Sequence, residues 1–239
     1  MAKPKQRRGE FKDTLRKPKK EKFEHEEHRH IQLTPVTANQ KTYVTALQSN
    51  ALTIVTGPPG CCKSILAAEV ACQDLMRGRV RKIVLTRAAT STSRGIGFVP
   101  GTAEEKCQHW FVSMLSYFQD ILGKGVFESQ LHRENIVLAP LENMMGRSFD
   151  DSWVIVEEAQ LMTTAELVTI TTRLGQDSRM TINGDYRQNI KSPDFKNFVK
   201  AIEKYDIDDV EVVRMTEDDI LRSQLVKDLT LVYNREALW

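Results

Sequence analysis

Hydrophobic residues along the chain form short β-branched runs that alternate with longer amphipathic segments. The clearest runs lie at 53–56, 82–87 and 153–157, and their length is typical of strands buried on both faces. Because helical segments separate most of the runs, the pattern predicts an α/β fold with a mostly parallel sheet and helices on both faces. The other predicted strands are 136–139, 179–183 and 210–214, and the predicted helices are 34–48, 63–76, 104–122, 163–174, 193–205 and 218–233.

Length and composition limit the class of protein. A chain of 239 residues has room for one domain, and a hydrophobic fraction of 41% supports a substantial core. No apolar run approaches the roughly 18 residues that a membrane span needs, and the charged N-terminus lacks the apolar segment of a secretory signal. The cysteines Cys61, Cys62, Cys72 and Cys107 lack metal-ligand spacing. We therefore expect a cytoplasmic, reducing compartment and no membrane partner.

Charge is unevenly distributed, although the net charge is only +2. Residues 1–31 contain eleven Lys/Arg and six Asp/Glu, whereas the remainder contains 23 and 26. Because such a segment has little apolar surface to bury, we predict a disordered basic tail at 1–31 and a folded domain at 32–239. The tail suits a nucleic-acid-binding arm or a solvated leader, and both interpretations remain open.

A glycine-rich turn joins the predicted strand at 53–56 to the helix that begins at Lys63. Gly57, Lys63 and Ser64 match the phosphate-binding P-loop pattern G-x-x-x-x-G-K-[S/T], but Cys62 replaces its second glycine. Backbone N–H groups of such a turn attract an anion, so we predict that Lys63 reaches the β- and γ-phosphates and that Ser64 ligates Mg²⁺. The alternative is an ordinary Gly-Pro turn before a helix. The predicted nucleotide contacts of the loop are Gly57, Pro58, Pro59, Gly60, Cys61, Cys62, Lys63 and Ser64.

Carboxylates and an amide follow two later strands. The strand at 153–157 ends in Glu157 and Glu158, which is typical of a Walker B element in which the first acid holds Mg²⁺ and the second is the general base. The first acid is usually aspartate, so a shift of strand or metal must absorb the extra methylene of Glu157. The strand at 179–183 leads into Gly-Asp-x-x-Gln, where Asp185 and Gln188 suit a γ-phosphate sensor.

Three further residues have candidate binding roles. Gln40 and Tyr43 lie on the helix that precedes the P-loop, where a glutamine in many P-loop ATPases contacts the adenine edge. An exposed polar helix position is the alternative for Gln40. Arg87 ends a predicted strand, and the carboxyl ends of parallel strands form the ligand-binding edge of an open sheet.

The ordered motifs resemble the PhoH family of P-loop ATPases over residues 33–233. The resemblance implies a RecA-like fold, ATP and Mg²⁺ as cofactors, and action on RNA or single-stranded nucleic acid, for which Arg87 and Arg147 are the candidate contacts. Family members have Thr-Gly at Cys61 and Cys62 and Asp at Glu157. The motifs are Gln40-x-x-Tyr43, 57–64, 85–87, 97–101 with 105–106, 139–141 with 145–147, 154–160, 172–175, Gly184-Asp185-x-x-Gln188 and 212–214.

We interpret the sequence as an Mg²⁺-dependent ATPase that acts with RNA or single-stranded nucleic acid. Similar helicases close the ATP site between two such domains, whereas one is predicted here, so we expect a homo-oligomer such as a ring. Arg173 or Arg214 would then supply an arginine finger to a neighbour. The alternatives are a nucleotide-gated scaffold that has lost catalysis and a P-loop kinase. Turnover of ATP without an acceptor separates the ATPase from the kinase.

Overall fold

A computed structural model describes residues 34–87, 103–144, 146, 148–188 and 192–236. Side chains at 103–110, 142 and 143 are not among those described. Three predicted features lie outside the described residues: the basic tail at 1–31, the glycine-containing motif at 97–101, and Arg147.

The described strands form one parallel sheet. They are β1 (Leu52–Thr56), β2 (Lys82–Arg87), β3 (Ile136–Pro140), β4 (Ser152–Glu157), β5 (Arg179–Gly184) and β6 (Val210–Arg214). Their order in the six-stranded sheet is β3-β2-β4-β5-β1-β6, and every pairing is parallel. The β-branched runs therefore predicted all of these strands, with bounds that differ by at most one residue.

The order of the strands brings three functional segments to one edge of the sheet. β5 lies between β1 and β4, with Thr56 of β1 beside Gly184 of β5. On the other side of β4, Arg87 of β2 is in register with Glu157. Since all these strands run in the same direction, the P-loop, the Walker B carboxylates and the Gly-Asp turn meet at their carboxyl ends.

Helices cover both faces of the sheet, which confirms the predicted RecA-like α/β fold. Tyr43, Phe118 and Trp153 lie in the core on one face, and Met162 and Phe195 lie in the core on the other. The described helices are α1 (Ala38–Ser49), α2 (Lys63–Met76), α3 (Ala103–Leu122), α4 (Lys124–His132), α5 (Leu141–Met144), α6 (Thr164–Thr171), α7 (Asp194–Glu203) and α8 (Gln224–Arg235), with short 3₁₀ helices at Ala159–Leu161 and Glu217–Asp219. None of the helices in these ranges has the length and apolar composition needed to cross a membrane.

Side-chain caps explain two differences from the predicted helices. α1 begins at Ala38 because Thr37 is its N-cap and forms a capping box with Gln40. α6 begins after Thr163, which caps it in the same way, and it ends at Thr171, short of the predicted bound at 174. α4 was not predicted.

The prediction of one continuous helix at 218–233 is wrong. A 3₁₀ turn at Glu217–Asp219 is followed by non-helical residues, and α8 begins only at Gln224. The backbone leaves helical geometry at Ile220, with ψ of 117°. Leu221 N–H then donates to the carbonyl of Gly60 at 3.1 Å. A contact with the P-loop therefore replaces the helical hydrogen bonds here.

Candidate active site

The P-loop connects the end of β1 to the start of α2. Gly57 packs so closely on the residue that follows β6 that a Cβ there would lie 2.6 Å from Met215 Cβ, so no larger residue fits without movement. Cys62 has φ of 66° and ψ of 20°, the left-handed geometry that glycine adopts without strain. For an L-residue this geometry costs about 1–2 kcal/mol. The loop thus keeps the backbone of a glycine at position 62 despite the cysteine side chain.

Lys63 and Cys61 face the carbonyl groups of the loop. Lys63 Nζ donates to Gly57 O at 2.7 Å and to Pro58 O at 2.9 Å. The Cys61 thiol also donates to Pro58 O, and burial raises its pKa to about 11. The lysine is thus held across the loop, where phosphate oxygens would compete with the carbonyls for its ammonium group.

Ser64 and Glu157 come together across the pocket. Ser64 Oγ donates to Glu157 Oε2 at 2.9 Å, and Asn183 Nδ2 donates to Oε1 at 2.7 Å. Burial raises the pKa of Glu157 to about 7, against the lowering effect of these two hydrogen bonds and of the charge on Lys63. A hydroxyl and a carboxylate oxygen are suitable ligands for Mg²⁺, so the pair fits the metal role predicted for it.

A buried glutamine connects the carboxylates to the Gly-Asp turn. Gln160 Nε2 donates to Glu158 Oε2 at 2.5 Å and to Gln188 Oε1 at 3.2 Å, and its Oε1 accepts from Asp185 N at 3.1 Å. Glu158 has φ of 55°, a strained conformation that is frequent at functional sites. The structure therefore brings together the three residues predicted as base and sensor.

These groups surround a pocket of about 400 Å³ at the carboxyl edge of the sheet. Its lining includes Lys63, Ser64, Glu157 and Glu158. The other predicted residues in the lining are Pro59, Gly60, Cys62, Asp185 and Gln188. One continuous cavity thus contains most of the predicted phosphate, metal and water-activating groups.

Gln40 and Tyr43 have structural contacts in the core. Gln40 is buried, its Nε2 donates to Asp219 O at 3.2 Å, and its Oε1 accepts from Val36 N at 2.9 Å. The alternative of an exposed position is therefore wrong. The Tyr43 hydroxyl is buried against Asn183 Oδ1 at 2.9 Å. Contact of Gln40 or Tyr43 with adenine stays a prediction.

The predicted arginines lie apart from the pocket lining. Arg214 at the end of β6 donates to Glu203 at 2.6 Å and also to the Tyr186 hydroxyl. The backbone of Arg173 pairs with Phe149, which precedes β4 and so lies towards the opposite, amino edge of the sheet. Arg87 is half-buried at the end of β2. Their roles as arginine fingers or nucleic-acid contacts stay predictions.

Sequence reasoning did not assign four residues at this site. Gln160 lies within a recognised motif and Asn183 ends a predicted strand, but only the fold shows that they contact the carboxylates. Tyr117 of α3 and Arg222 before α8 also line the pocket. No local pattern around Arg222 indicated a site, because the segment was predicted to be helical.

The fold and pocket define a P-loop NTPase-type domain. A PhoH-like protein family model matches residues 32–234, and the chain belongs to this PhoH family. It is 33% identical over 202 residues to a PhoH-like protein of Bacillus subtilis, covering 84% of this chain and 63% of the relative. It is 29% identical over 208 residues to Protein PhoH of Escherichia coli K12, covering 84% and 59%. The chain thus spans about three fifths of the length of these curated relatives.

Comparison with solved structures independently supports the fold. The large terminase of a thermophilic bacteriophage matches with a TM-score of 0.54 and 13% identity, over 82% of this chain and 50% of the terminase. A second crystal form of that terminase gives a TM-score of 0.53 and 12% identity, over 84% and 51%. At this identity the likeness concerns the architecture of the domain.

Proposed function

We propose that this domain binds ATP with Mg²⁺ and hydrolyses it, and that it acts with RNA or single-stranded nucleic acid. The observation that carries the first part is the 2.9 Å contact between Ser64 Oγ and Glu157 Oε2. It joins the P-loop to the Walker B strand at the point where a metal bound to phosphate needs oxygen ligands. A cation there would favour the charged form of Glu157, which burial disfavours.

Each residue at the pocket has a role in this proposal. Lys63 exchanges its loop carbonyls for phosphate oxygens and neutralises their charge. Glu158 accepts the proton of the attacking water. Gln160 holds the Glu158 carboxylate, and Gln188 with Asp185 responds to the γ-phosphate end of the nucleotide. Ser64 and Glu157 would hold the Mg²⁺, which would supply charge stabilisation on the phosphates.

Phosphate release with and without single-stranded RNA tests the proposal. The wild-type protein should release phosphate from ATP in Mg²⁺ without any acceptor, Lys63→Ala should lose ATP binding, and Glu158→Gln should bind ATP but fail to turn it over. Lys227→Ala is the matched control, because Lys227 lies on α8 outside the pocket lining. Equal ATP affinity in wild type and Lys63→Ala would contradict the P-loop assignment, and an RNA-independent rate would contradict the nucleic-acid part.

Assembly completes the proposed site. Among the described residues, neither predicted arginine finger reaches the pocket of its own chain, so we propose that a second copy supplies one in a homo-oligomer.

We also propose a cytoplasmic location for the protein.

A catalytically weakened, nucleotide-gated scaffold is the second candidate function. Two observations favour it: Cys62 carries a side chain in left-handed geometry within the loop, and Glu157 places a longer side chain at the metal position than the usual aspartate. In this case ATP would bind and change the oligomeric state without phosphate release. Sedimentation with ATP in parallel with the phosphate assay separates the two functions.

A further inference from the structure

An arginine outside the known motifs lies at the mouth of the candidate nucleotide site. Arg222 occupies the connection between β6 and α8 and lines the same pocket as Gly60 and Lys63. Its side chain runs alongside the P-loop: a Cβ built on Gly60 would lie 3.0 Å from Arg222 Cδ and 3.2 Å from Nε. Gly60 therefore leaves the space through which the arginine side chain passes.

The backbone that carries Arg222 is anchored to the P-loop. Leu221 N–H donates to Gly60 O at 3.1 Å, and Met215 N–H donates to Thr56 O at 2.7 Å. These two hydrogen bonds attach the segment 215–221 at its two ends, to the last residue of β1 and to the P-loop. Arg222 is thus placed next to Gly60 by backbone contacts, and its position does not depend on a flexible side chain alone.

A second anchor joins the same segment to α1. Asp219 accepts hydrogen bonds from Thr37 Oγ1 and, at 2.9 Å, from Asn39 Nδ2, while its carbonyl accepts from Gln40 Nε2 at 3.2 Å. The segment is therefore fixed between α1 and the loop. Gln40 therefore helps to position Asp219, which lies three residues before Arg222.

The guanidinium of Arg222 differs from those of its arginine neighbours. Arg187 pairs with Asp185 and Glu217, and Arg214 pairs with Glu203. Arg222 is exposed, and within the described part of the chain it has neither a hydrogen bond nor an ion pair. Its positive charge also acts on the thiol of Cys62, in the same direction as the charge of Lys63. The pocket therefore has a second cation, whose donors form no hydrogen bond with another residue in the part of the chain that the structure describes.

We propose that Arg222 is a phosphate-binding residue that contacts the polyphosphate of the nucleotide held by its own P-loop. The planar guanidinium presents several N–H donors that match phosphate oxygens, and the anchored segment holds the Arg222 backbone beside the loop before the ligand arrives. The inference rests on the proposed nucleotide binding and adds a contact from outside the P-loop and Walker motifs.

Calorimetric titration with Mg²⁺-ATP and with Mg²⁺-tripolyphosphate tests this contact. Arg222→Ala should weaken the binding of both ligands by roughly tenfold to a hundredfold, because a hydrogen-bonded charge pair contributes that much. Arg222→Lys should recover part of the loss, since lysine keeps the positive charge but lacks the planar guanidinium that donates paired hydrogen bonds to phosphate. Arg235→Ala, the same substitution at an exposed position at the end of α8, should bind both ligands as the wild type does.

Four outcomes have distinct meanings. An ATP affinity unchanged by Arg222→Ala would overturn the inference, provided that Lys63→Ala abolishes binding. A loss for ATP with unchanged affinity for tripolyphosphate would also overturn it, because the contact would then be to the nucleoside. Equal ATP binding in wild type and Lys63→Ala would instead overturn the proposed function. Thermal unfolding of Arg222→Ala at the wild-type midpoint, together with weaker binding of both ligands, would support a direct contact.

Discussion

The side-chain carbonyl of Gln160 accepts a hydrogen bond of 3.1 Å from the backbone N–H of Asp185. The same amide donates to Glu158 and to Gln188. One buried side chain therefore joins the end of β4 to the turn that follows β5. In the proposed mechanism this connection fixes the general base relative to the γ-phosphate sensor.

We predict that Gln160→Ala lowers ATP turnover about 10²-fold, because a misplacement of about 1 Å at a reacting group has an effect of that order. ATP affinity should change little, since Gln160 contacts the base and sensor while the loop and Lys63 remain intact. Steady-state kinetics with a separate binding titration measures the two effects. Gln48→Ala, at an exposed position of α1, is the control. A fall in affinity equal to the fall in turnover would contradict a positioning role.

Cys62 provides a test of strain in the loop. Cys62→Gly should remove the left-handed strain of about 1–2 kcal/mol, partly offset by the greater chain entropy of glycine in the unfolded state. If the side chain also crowds the phosphates, ATP binding should tighten or turnover should rise. Calorimetry and phosphate release measure these changes.

A matched substitution separates general stability from an effect on the site. Glu134 also has a positive φ, of 56°, and lies on the surface at the end of α4. Glu134→Gly should therefore change the free energy of unfolding in the same direction as Cys62→Gly and leave ATP binding unaltered. Equal nucleotide effects in both variants would show that Cys62 does not obstruct the phosphates.

The P-loop strand and helix were predictable because local and tertiary preferences agree there. Buried β-branched runs specify β1 and β2, and α2 has its predicted bounds, Lys63–Met76. The carboxyl ends of β4 and β5 follow from the same patterns. Most of the pocket could therefore be inferred, because its motifs lie at the carboxyl ends of strands that the sequence predicts.

Long-range contacts determine what the sequence could not show. Gln40 is buried because Asp219, 179 residues later, accepts from its amide. The helical pattern at 218–233 is interrupted because Leu221 bonds to the P-loop. No local pattern encodes either partner, so the burial of Gln40 and the place of Arg222 required the fold.

Asp219 gives a pH-dependent prediction. Burial alone would raise its pKa, but hydrogen bonds from Thr216 N–H, Thr37 and Asn39 outweigh it and hold the pKa below its usual value. A carboxylate with a lowered folded pKa adds stability above its unfolded pKa of about 3.9, and that stability is lost as the pH falls through the folded pKa. Asp219→Asn should therefore destabilise the protein by about 1–3 kcal/mol at pH 7.

Denaturant unfolding at neutral and acid pH measures this effect. The difference between wild type and Asp219→Asn should shrink as the pH falls below about 4. Asp218→Asn is the control, because Asp218 is an exposed neighbour. A difference that stays constant over this range would mean that packing, and not the charge of Asp219, accounts for the loss.

The basic segment at 1–31 provides a test of nucleic-acid binding. Its deletion should weaken binding to single-stranded RNA uniformly across sequences and flatten the salt dependence, because fewer counterions are released. Replacing its eleven Lys/Arg by Gln keeps the length and should have the same effect. An unchanged salt slope in both variants would exclude tail contacts with phosphate.

Catalysis in trans is the last prediction. Arg173 lies towards the sheet edge opposite the pocket, so it can reach a nucleotide only in a neighbouring copy, whereas Arg214 must first leave Glu203. Arg173→Ala or Arg214→Ala should spare ATP binding and lower turnover by about 10³–10⁵, the usual effect of a trans arginine on charge that develops in the transition state. Arg81→Ala is the control, because Arg81 is an exposed arginine paired with Asp151 before β4.

Mixing variants shows whether the arginine acts between copies. Either arginine variant mixed with Glu158→Gln should regain activity, because some interfaces then pair an intact base with an intact arginine. Sedimentation at the assay concentration should show an oligomer. A monomer with full ATPase activity would contradict the model, and so would mixtures no more active than their components, since the arginine would then act within one chain or not at all.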